Sequence, residues 1–540
     1  MKKILVFALV LSLLLSVSAN AAGELPLTTN GDKLTIGLQQ SATVISYEDN
    51  KMTDWLEEKT GVNIEFMIFP ADGGEASTKM ELMVSSGAVL PDIIFDCGIS
   101  NYTTLQRYAD AGKLVALDDY WDEYAYYLPS FVERQSVIKP YLTMEDYLTY
   151  GRGTDGHSYA FCQFSYAEQN CWNRRSWIND AWLQQLGLDM PQTTEELEAA
   201  LTAFVENDMN GNGVKDELGV VGYADNNGIA VLMNMFCYVS DTANGYYYYL
   251  EDGQIMPQFT TDSWRHGLSV LHDWVDKGIY STISFSQDKA SQAAIGSSDP
   301  MTAGMVVYNT GSAIASNRVN YLALGIVESE DGVGYATYSP SVPYPVAVIT
   351  SDCADPVLAF RFLDFFAGKD CCYINRYGIE GENWEWLPEG SQVKTAYFDI
   401  NGSYAEMNLL EDVWGTQQKI NWAQTGPWMS CGSFAGTSMD RDSNSYLNFA
   451  HYSSIYDTLP RMDGLYYDII VYTNDEIDEW AETRSALKTY INEQATYFVL
   501  GTLDINDDKA WNNYLSDLEK IGYKDLIAAD QVALNRTLGK

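Results

Sequence analysis

A ten-residue stretch at 208–217, DMNGNGVKDE, carries oxygen-bearing side chains at regular intervals. Numbered from its first residue, it has polar donors at positions 1, 3, 5, 9 and 10 and a glycine, Gly213, at position 6. Glycine permits the sharp turn that would point alternate donors toward one centre. The candidate donors are the side chains of Asp208, Asn210, Asn212, Asp216 and Glu217 and the main-chain carbonyl of Val214.

This donor set suits calcium, a hard cation that takes six to eight oxygen ligands. An EF-hand loop would place a glutamate at position 12, where this sequence has Gly219. Glu217, two positions earlier, could complete the shell instead. The alternative is a solvated Asn-Gly turn, since Asp, Asn and Gly are common turn formers. The spacing therefore predicts a structural Ca²⁺ ion at this loop, and not a calcium sensor.

Signs of enzyme chemistry are weak in this sequence. The four histidines show no H-E-x-x-H spacing, and no G-x-S-x-G motif is present. Glycoside hydrolysis needs two carboxylates at a defined separation, but with 74 acidic residues candidate pairs carry no information. We therefore predict no catalytic residues.

Composition excludes several classes of partner. The net charge is −42, from 74 acids against 32 bases, which argues against binding nucleic acid or an anionic membrane surface. At 540 residues and 46% hydrophobic composition, the chain can form two to four packed domains. The eight cysteines include no C-x-x-C pair; we expect mostly buried thiols, with room for one disulfide.

The first 21 residues indicate export. Lys2 and Lys3 precede an apolar run from Ile4 to Leu15, and Ala19-Asn20-Ala21 resembles a cleavage site. This pattern is typical of a secretory signal peptide over residues 1–21. The alternative, a membrane anchor, is disfavoured because the apolar run is shorter than the ~20 residues that span a bilayer.

The elements that follow alternate between strand and helix. Strands are predicted at 33–38, 62–69 and 91–95, with helices at 53–60 and 78–86 between them. This order is typical of an α/β fold with a parallel sheet. Farther along, Thr193 and Glu196 form a capping-box signature, which begins a helix that leads into the 208–217 loop.

Several segments in order resemble one known family. They are KLTIGL at 33–38, TKMELMVSSGAVLPDIIFDCG at 78–98, YADAGKLVALDDY at 108–120, DGHSYAF at 155–161, RRSWINDAWLQQLGL at 174–188, the 208–217 loop and YGIEGENWEW at 377–386. Together they resemble the extracellular solute-binding proteins of family 1, in the large subgroup associated with carbohydrate ABC transporters. The C-terminal segment 485–527 resembles that subgroup's final helices, so the likeness spans nearly the whole chain after the signal peptide.

The resemblance implies a two-lobed, periplasmic-binding-protein-like (type II) α/β fold with a hinge and an interlobe cleft. We expect lobe 1 to comprise residues 32–163 plus 344–400, and lobe 2 residues 164–343 plus 401–540. Relatives carry a calcium loop with ligands at positions 1, 3, 5, 7, 9 and 10, which match this sequence; that ion is structural and lies away from the sugar. Gram-positive members usually have a lipobox cysteine, whereas here the first cysteine is Cys97.

A sugar site needs flat aromatic faces and planar hydrogen-bonding side chains. Ligands of open α/β sheets bind beyond the carboxyl ends of the strands, so the loops after the predicted strands supply candidates. Each aromatic candidate could instead pack in a core, and Arg174 could pair with an acid. The predicted ligand-binding residues are Gln39, Gln40, Ser41, Asp96, Trp172, Arg174, Tyr308, Asn309, Trp384 and Trp386.

These observations predict an exported, monomeric substrate-binding protein of an ABC importer. It would bind an oligosaccharide, expected to be neutral because Lys and Arg are scarce, and deliver it to membrane permease subunits. We expect it to be periplasmic, secreted or associated with the cell surface. The alternative is a secreted glycan-active enzyme or a glycan-adhesion module.

Overall fold

The structure, a computed structural model, covers most of the chain after its N-terminal segment. The predicted signal peptide lies outside the described residues. None of the helices in the described part is long and apolar enough to cross a membrane. The described residues are 23–136, 143–166, 171, 175–239, 247–308, 311–338, 342–394, 404–411, 413, 417–431, 447, 450, 453–455, 464–465 and 470–539.

The strands and helices are numbered here in chain order. The strands are β1 (Lys33–Gln39), β2 (Asn63–Phe69), β3 (Ile93–Phe95), β4 (Ala160–Tyr166), β5 (Ser176–Asn179), β6 (Leu218–Val221), β7 (Tyr248–Glu251), β8 (Gln254–Pro257), β9 (Ala303–Val307), β10 (Tyr321–Ala323), β11 (Tyr344–Ile349), β12 (Trp384–Trp386), β13 (Met407–Leu409) and β14 (Met429–Cys431). The helices are α1 (Lys51–Thr60), α2 (Gly73–Ser86), α3 (Tyr102–Asp110), α4 (Asp118–Tyr124), α5 (Tyr127–Ser136), α6 (Met144–Thr149), α7 (Asp180–Leu186), α8 (Thr194–Glu206), α9 (Ile229–Leu232), α10 (Asp262–Asp276), α11 (Lys289–Gly296), α12 (Pro356–Phe366), α13 (Lys369–Tyr377), α14 (Asn474–Val499), α15 (Asp508–Ile521) and α16 (Tyr523–Thr537). Short 3₁₀ segments lie at Met233–Met235, Gln258–Thr260, Thr282–Phe285 and Gly311–Asn320.

The first lobe is built on a six-stranded sheet in the order β14-β4-β11-β3-β1-β2. As predicted, β1 pairs in parallel with β2 and with β3. The sheet is mixed, however, because β11 runs antiparallel to both β3 and β4. Buried apolar clusters lie against this sheet, one of them including α1 and α12 residues and the other α2 and α3 residues. Helices thus cover the sheet and bury its strands, as expected for an α/β layer.

Helix ends in this lobe follow from local sequence. The Asn50 side chain accepts a hydrogen bond from the Met52 amide and caps α1, and Gly61 ends that helix at φ 72°. Gly87 ends α2 in the same left-handed region, at φ 70°. Both predicted helices are therefore present, although α2 begins at Gly73, five residues before the predicted start at 78.

The second lobe has a four-stranded sheet in the order β10-β5-β9-β6. The predicted capping box is confirmed at the start of α8, because the Thr193 hydroxyl accepts from the Glu196 main-chain amide and the Glu196 carboxylate accepts from the Thr193 main-chain amide. Leu197, Leu201 and Phe204 are buried against the sheet. The C-terminal helices α14, α15 and α16 contribute to the same core, and α14 also contacts α3 of the first lobe.

The division predicted at residue 401 differs from the structure. Strand β13 pairs with β12, and β14 pairs in parallel with β4 as an edge strand of the first sheet. Between these strands, the Trp422 indole is fully buried in the first lobe and donates to the Thr53 hydroxyl at 2.9 Å. The described residues from 404 to 431 therefore belong with the first lobe. The predicted boundary at 163/164 also cuts through β4.

The described residues from 404 to 431 are called the returning segment, because they bring the chain back to the first lobe. Gly426 allows this segment to approach the first sheet closely. It has φ 91°, and a Cβ atom there would lie 2.8 Å from the Phe95 ring and 2.9 Å from the Phe366 ring. We expect Gly426→Ala to lower the free energy of unfolding by about 3 kcal/mol, from left-handed strain plus overpacking. Gly390, at φ 78° with no atom within 4 Å of its added Cβ, is the matched control.

Gly390→Ala should cost only about 1 kcal/mol, because it adds the strain without the steric clash. Urea denaturation of both variants measures the difference. Equal losses for the two variants would show that the Gly426 backbone is not held against the two rings.

The seven cysteines in the described part with placed side chains are all buried. Burial raises the pKa of the Cys97 thiol to about 12, and the Asp96 carboxylate beside it adds to this shift. A thiol with so high a pKa is protonated at neutral pH and is a poor nucleophile. The expectation of buried thiols therefore agrees with the structure for these seven residues.

Candidate functional site

A pocket of about 360 Å³ opens where the strands of the first sheet end. Strands β1 and β3 reach it at their carboxyl ends, and β11, which runs the opposite way, reaches it at its start. Polar side chains dominate its wall, and no lysine or arginine is found among its lining residues in the described chain. The lining residues are Gln39, Gln40, Ser41, Ala42, Ala71, Phe95, Asp96, Gln163, Tyr344, Val346, Gln424, Thr425 and Gly426.

Asp96 stands at a sharp elbow directly after β3. Asp96 and Cys97 have φ of 58° and 52° and are followed by Gly98 at φ 97°. The main-chain amide of Asp96 donates to the Val346 carbonyl at 2.8 Å, which fixes this turn to β11. One carboxylate oxygen, Oδ1, accepts from the Ser100 hydroxyl at 3.1 Å. The turn therefore holds the Asp96 carboxylate at the pocket, where Oδ2 can accept further hydrogen bonds.

Gln39 and Gln40 both contribute amide groups whose orientation is fixed by main-chain acceptors. The Gln40 amide nitrogen donates to the carbonyls of Ser41 and Val44, at 2.9 and 2.7 Å. The Gln39 amide nitrogen donates to the Ala71 carbonyl at 2.5 Å. Each amide oxygen thus remains an acceptor, because the nitrogen is already engaged.

Three further side chains complete the polar wall. Gln163 in β4 and Tyr344 at the start of β11 are register partners, and neither side chain forms a hydrogen bond with another described residue. Partial burial raises the pKa of Tyr344 to about 12, with a further contribution from the Asp96 carboxylate. Its phenol therefore keeps its proton and can donate. Gln424, from the returning segment, faces them.

Backbone strain is concentrated at this pocket. Six non-glycine residues in the described chain have left-handed φ, and four of them, Asp96, Cys97, Ala423 and Gln424, line the pocket or directly precede or follow a lining residue. The other two are Tyr247 and Asp252, at one end and in the turn of the β7–β8 hairpin. Strained conformations of this kind cluster at binding sites, where the surrounding structure holds them in place.

Four of the predicted ligand-binding residues, Gln39, Gln40, Ser41 and Asp96, therefore lie around one pocket. Tyr308 lies elsewhere, after β9 in the second lobe. Its ring is 6.0 Å from the Tyr223 ring and 5.3 Å from the Lys289 ammonium group. Trp172, Arg174 and Asn309 fall outside the described residues.

Trp384 and Trp386 are not brought to the pocket. They lie in the β12–β13 hairpin, where Trp384 is 2% exposed and donates from its indole nitrogen to the Gly378 carbonyl at 2.7 Å. The Trp386 ring contacts the Trp384 ring edge-on, with 4.7 Å between the ring centroids. The Lys369 ammonium group lies over the Trp386 ring, 4.2 Å from its centroid. Here Trp384 packs in the core, the alternative considered for each aromatic residue in the sequence.

The 208–217 loop is a compact turn at the end of α8. The Asp208 carboxylate accepts from the main-chain amides of Gly211, Asn212 and Gly213, at 2.8, 3.1 and 2.8 Å. Gly211 and Gly213 have φ of 74° and 86°. The Asn210 amide donates to the Met301 carbonyl at 3.0 Å, which ties the loop to the chain before β9.

Glu217 is the clearest sign of a cation at this loop. Its side chain is 6% exposed, and Oε1 accepts from the amides of Met209 and Asn210 at 2.6 and 3.1 Å. Its other oxygen, Oε2, is buried and has no hydrogen-bond partner in the described part of the chain. A buried carboxylate oxygen of this kind is costly unless a cation or a donor satisfies it, so the residues fit a bound cation.

The full coordination shell is not assembled in this conformation. Among the described residues, no three His, Cys, Asp or Glu side chains are gathered as a metal site. The Asn212 amide nitrogen, and not its oxygen, faces the Asp216 carboxylate at 3.1 Å. Its oxygen accepts from the Val214 amide instead, at 2.7 Å. Metal binding would therefore require the two asparagine amides to turn.

Sequence reasoning missed Gln163, Tyr344 and Gln424. Gln163 and Tyr344 lie within or at the start of strands, and only the antiparallel pairing of β11 with β4 brings them to the strand ends. Gln424 lies in a segment predicted to belong to the second lobe. The one local signal was the run WAQTG at 422–426, which has an aromatic residue, an amide and a turn-forming glycine in succession.

Comparison with known proteins agrees with this architecture. The family described as bacterial extracellular solute-binding protein matches residues 41–370. The chain belongs to this family. The fructooligosaccharide ABC transporter substrate-binding protein FusA of Streptococcus pneumoniae is 24% identical over 523 residues, which cover 93% of this chain and 90% of FusA.

Solved structures of solute-binding proteins share the two-lobed fold. FusA in complex with kestose has a TM-score of 0.71 at 22% identity, covering 94% of this chain and all of that one. An HMO binding solute-binding protein from Bifidobacterium longum infantis has a TM-score of 0.77 at 15% identity, covering 94% and 99%. FusA has also been solved as an EF-hand mutant in complex with fructo-nystose, with a TM-score of 0.69 at 21% identity, covering 94% and 100%.

Proposed function

We propose that this solute-binding protein is the extracytoplasmic receptor of an ABC importer and binds a neutral oligosaccharide. The pocket at the strand ends of the first lobe carries this proposal. It presents several amides, one carboxylate and one phenol with free hydrogen-bonding capacity, and no cationic side chain among the described residues. Such a surface suits hydroxyl groups, which both donate and accept, and does not suit a carboxylate or phosphate.

The related proteins support the substrate class. FusA is described as a fructooligosaccharide-binding transport protein, and its structure contains kestose. The pocket of about 360 Å³ is formed by one lobe, so the second lobe would supply the other wall. Tyr308 and Tyr223, which follow β9 and β6 in the second lobe, are the side chains we propose for that wall.

The transport step would be hinge closure without chemistry on the ligand. Contacts with both lobes stabilise the closed form, because only that form allows both sets of contacts. A membrane permease would then recognise the closed receptor. The receptor itself would act as a monomer outside the cytoplasm.

We propose that the 208–217 loop binds Ca²⁺ as a structural ion. The ligands would be Asp208, Asn210, Asn212, Asp216 and Glu217 with the Val214 carbonyl. The buried, unpartnered Glu217 Oε2 supports this, as does the existence of an EF-hand in FusA. A cation here would tie the end of α8 to the start of β6, far in sequence from the pocket residues.

A glycan array followed by calorimetry tests the proposed function. We expect purified protein to bind neutral oligosaccharides, with an uronate trimer binding at least tenfold more weakly. Prolonged incubation should leave every glycan intact. Release of a shorter glycan would support the glycan-active enzyme instead, and binding of peptides without any glycan would refute the carbohydrate assignment.

A further inference from the structure

Gln424 differs from Gln39 and Gln40 in which atom of its side-chain amide is hydrogen-bonded to the protein. Its oxygen, Oε1, accepts from the Arg376 guanidinium at 2.6 Å. A guanidinium can only donate, so this contact fixes the amide with its oxygen toward Arg376. The Gln424 side-chain nitrogen, Nε2, forms no hydrogen bond with another described residue and is available to a ligand in the pocket.

The groups on the β1 and β3 side of the pocket are acceptors. Gln40 has both amide hydrogens engaged by main-chain carbonyls, which leaves its oxygen. Asp96 presents a carboxylate oxygen. A ligand hydroxyl that gives its proton to such a group still has lone pairs, and it gains a second bond only where a donor faces it.

The backbone at Gln424 is held as firmly as the side chain. Ala423 and Gln424 have φ of 50° and 66°, and the Gln424 amide donates to the Asn375 side-chain oxygen at 3.0 Å. The Asn375 amide in turn donates to the Thr425 carbonyl at 2.8 Å. Helix α13 therefore carries both the residue that fixes this backbone and Arg376, which fixes the amide.

We infer that Gln424 is a specificity-determining residue that donates from Nε2 to a ligand hydroxyl, and that Arg376 is its positioning residue. The inference rests on the proposed function and adds a named donor to a site otherwise rich in acceptors. It selects ligands with a hydroxyl at one position, whose proton is taken by the acceptors on the β1 and β3 side. Arg376 itself does not touch the ligand.

Gln424→Glu tests the donor. Glutamate keeps an acceptor for Arg376 but removes the two N–H groups, so folding is retained while the donor is lost. We expect the Kd for the tightest-binding neutral oligosaccharide of the array to rise at least tenfold, with an unchanged melting temperature. Gln392→Glu, the same charge change at an exposed glutamine of the same lobe, should leave Kd unchanged.

Monodeoxy derivatives of that oligosaccharide identify the hydroxyl. One derivative should bind wild type at least fivefold more weakly than the parent, and this difference should be markedly smaller for Gln424→Glu, because the derivative and the variant remove the same contact. Arg376→Gln should raise Kd for the parent and flatten this discrimination, and Arg376→Lys should restore part of both. A merely structural arginine would change stability without changing the discrimination between derivatives.

The possible results distinguish a failure of this inference from a failure of the proposed function. If wild type binds an oligosaccharide and Gln424→Glu binds it equally well, the inference is wrong and the proposed function stands. If every derivative loses affinity equally on both proteins, Gln424 does not read a hydroxyl. If wild type binds no glycan of the array, the proposed function fails and this inference with it.

Discussion

Asp96→Asn should raise the Kd for the oligosaccharide about 30- to 100-fold without unfolding the protein. Asparagine tolerates the left-handed φ of 58° at this position, and its oxygen can still accept from the Ser100 hydroxyl. The lost group is the charged acceptor Oδ2, and a hydrogen bond to a charged group contributes about 1.5–3 kcal/mol. Calorimetric titration measures the effect.

Asp252→Asn is the matched control for this substitution. Asp252 has φ 50°, in the same left-handed region, but lies in the turn between β7 and β8 of the other lobe. It removes one acid at one left-handed position and should leave Kd within twofold. Equal losses in the two variants would point to an effect of net charge or backbone, and would remove Asp96 from the site.

Calcium should raise the melting temperature of the protein substantially. At about 1,000 times its dissociation constant, an ion that binds only the folded state adds about 4 kcal/mol. For a cooperative unit of about 150–250 residues this corresponds to roughly 8–16 °C. Calorimetric melts in EDTA and in excess Ca²⁺ measure the shift.

Glu217→Gln should abolish most of that shift, because it removes the buried carboxylate whose Oε2 has no partner among the residues that the structure describes. Glu206→Gln, at an exposed residue of the same helix end, removes the same charge and should keep the shift. A wild-type melt that is identical in EDTA and Ca²⁺ would show that the loop is held by its own hydrogen bonds alone. Neither variant is expected to change sugar affinity, since the loop is not part of the pocket wall.

The sequence predicted the parts of the fold that local patterns determine. Alternating apolar residues specified β1, Gly61 and Gly87 marked the ends of α1 and α2, and the capping box at Thr193 marked the start of α8. Parallel pairing of β1 with β2 and β3 followed from the strand-helix alternation. The antiparallel pairing of β11 with β4 and β3 could not be predicted in this way. These partner strands lie about 180 and 250 residues earlier, and local periodicity does not encode pairing.

The candidate site was likewise predictable only where local sequence determines it. Asp96 and Gln39 could be proposed because they directly follow strands, whereas Gln424 depended on where a distant segment returns. Trp384 illustrates the converse error, since an aromatic residue in a motif cannot be assigned to a core or a binding face until its hairpin is placed. The calcium loop was recognisable from its spacing, but the orientation of the Asn212 amide was not.

Hydrogen exchange with and without the bound oligosaccharide tests the central claim most directly. The claim is that the glycan lies against the two strained turns of the first lobe. We predict slowed exchange in peptides spanning 95–100 and 423–426, at least tenfold for the amides at the pocket wall, with no change across 208–217. Protection confined to other segments, with both turns unchanged in the saturated complex, would contradict it.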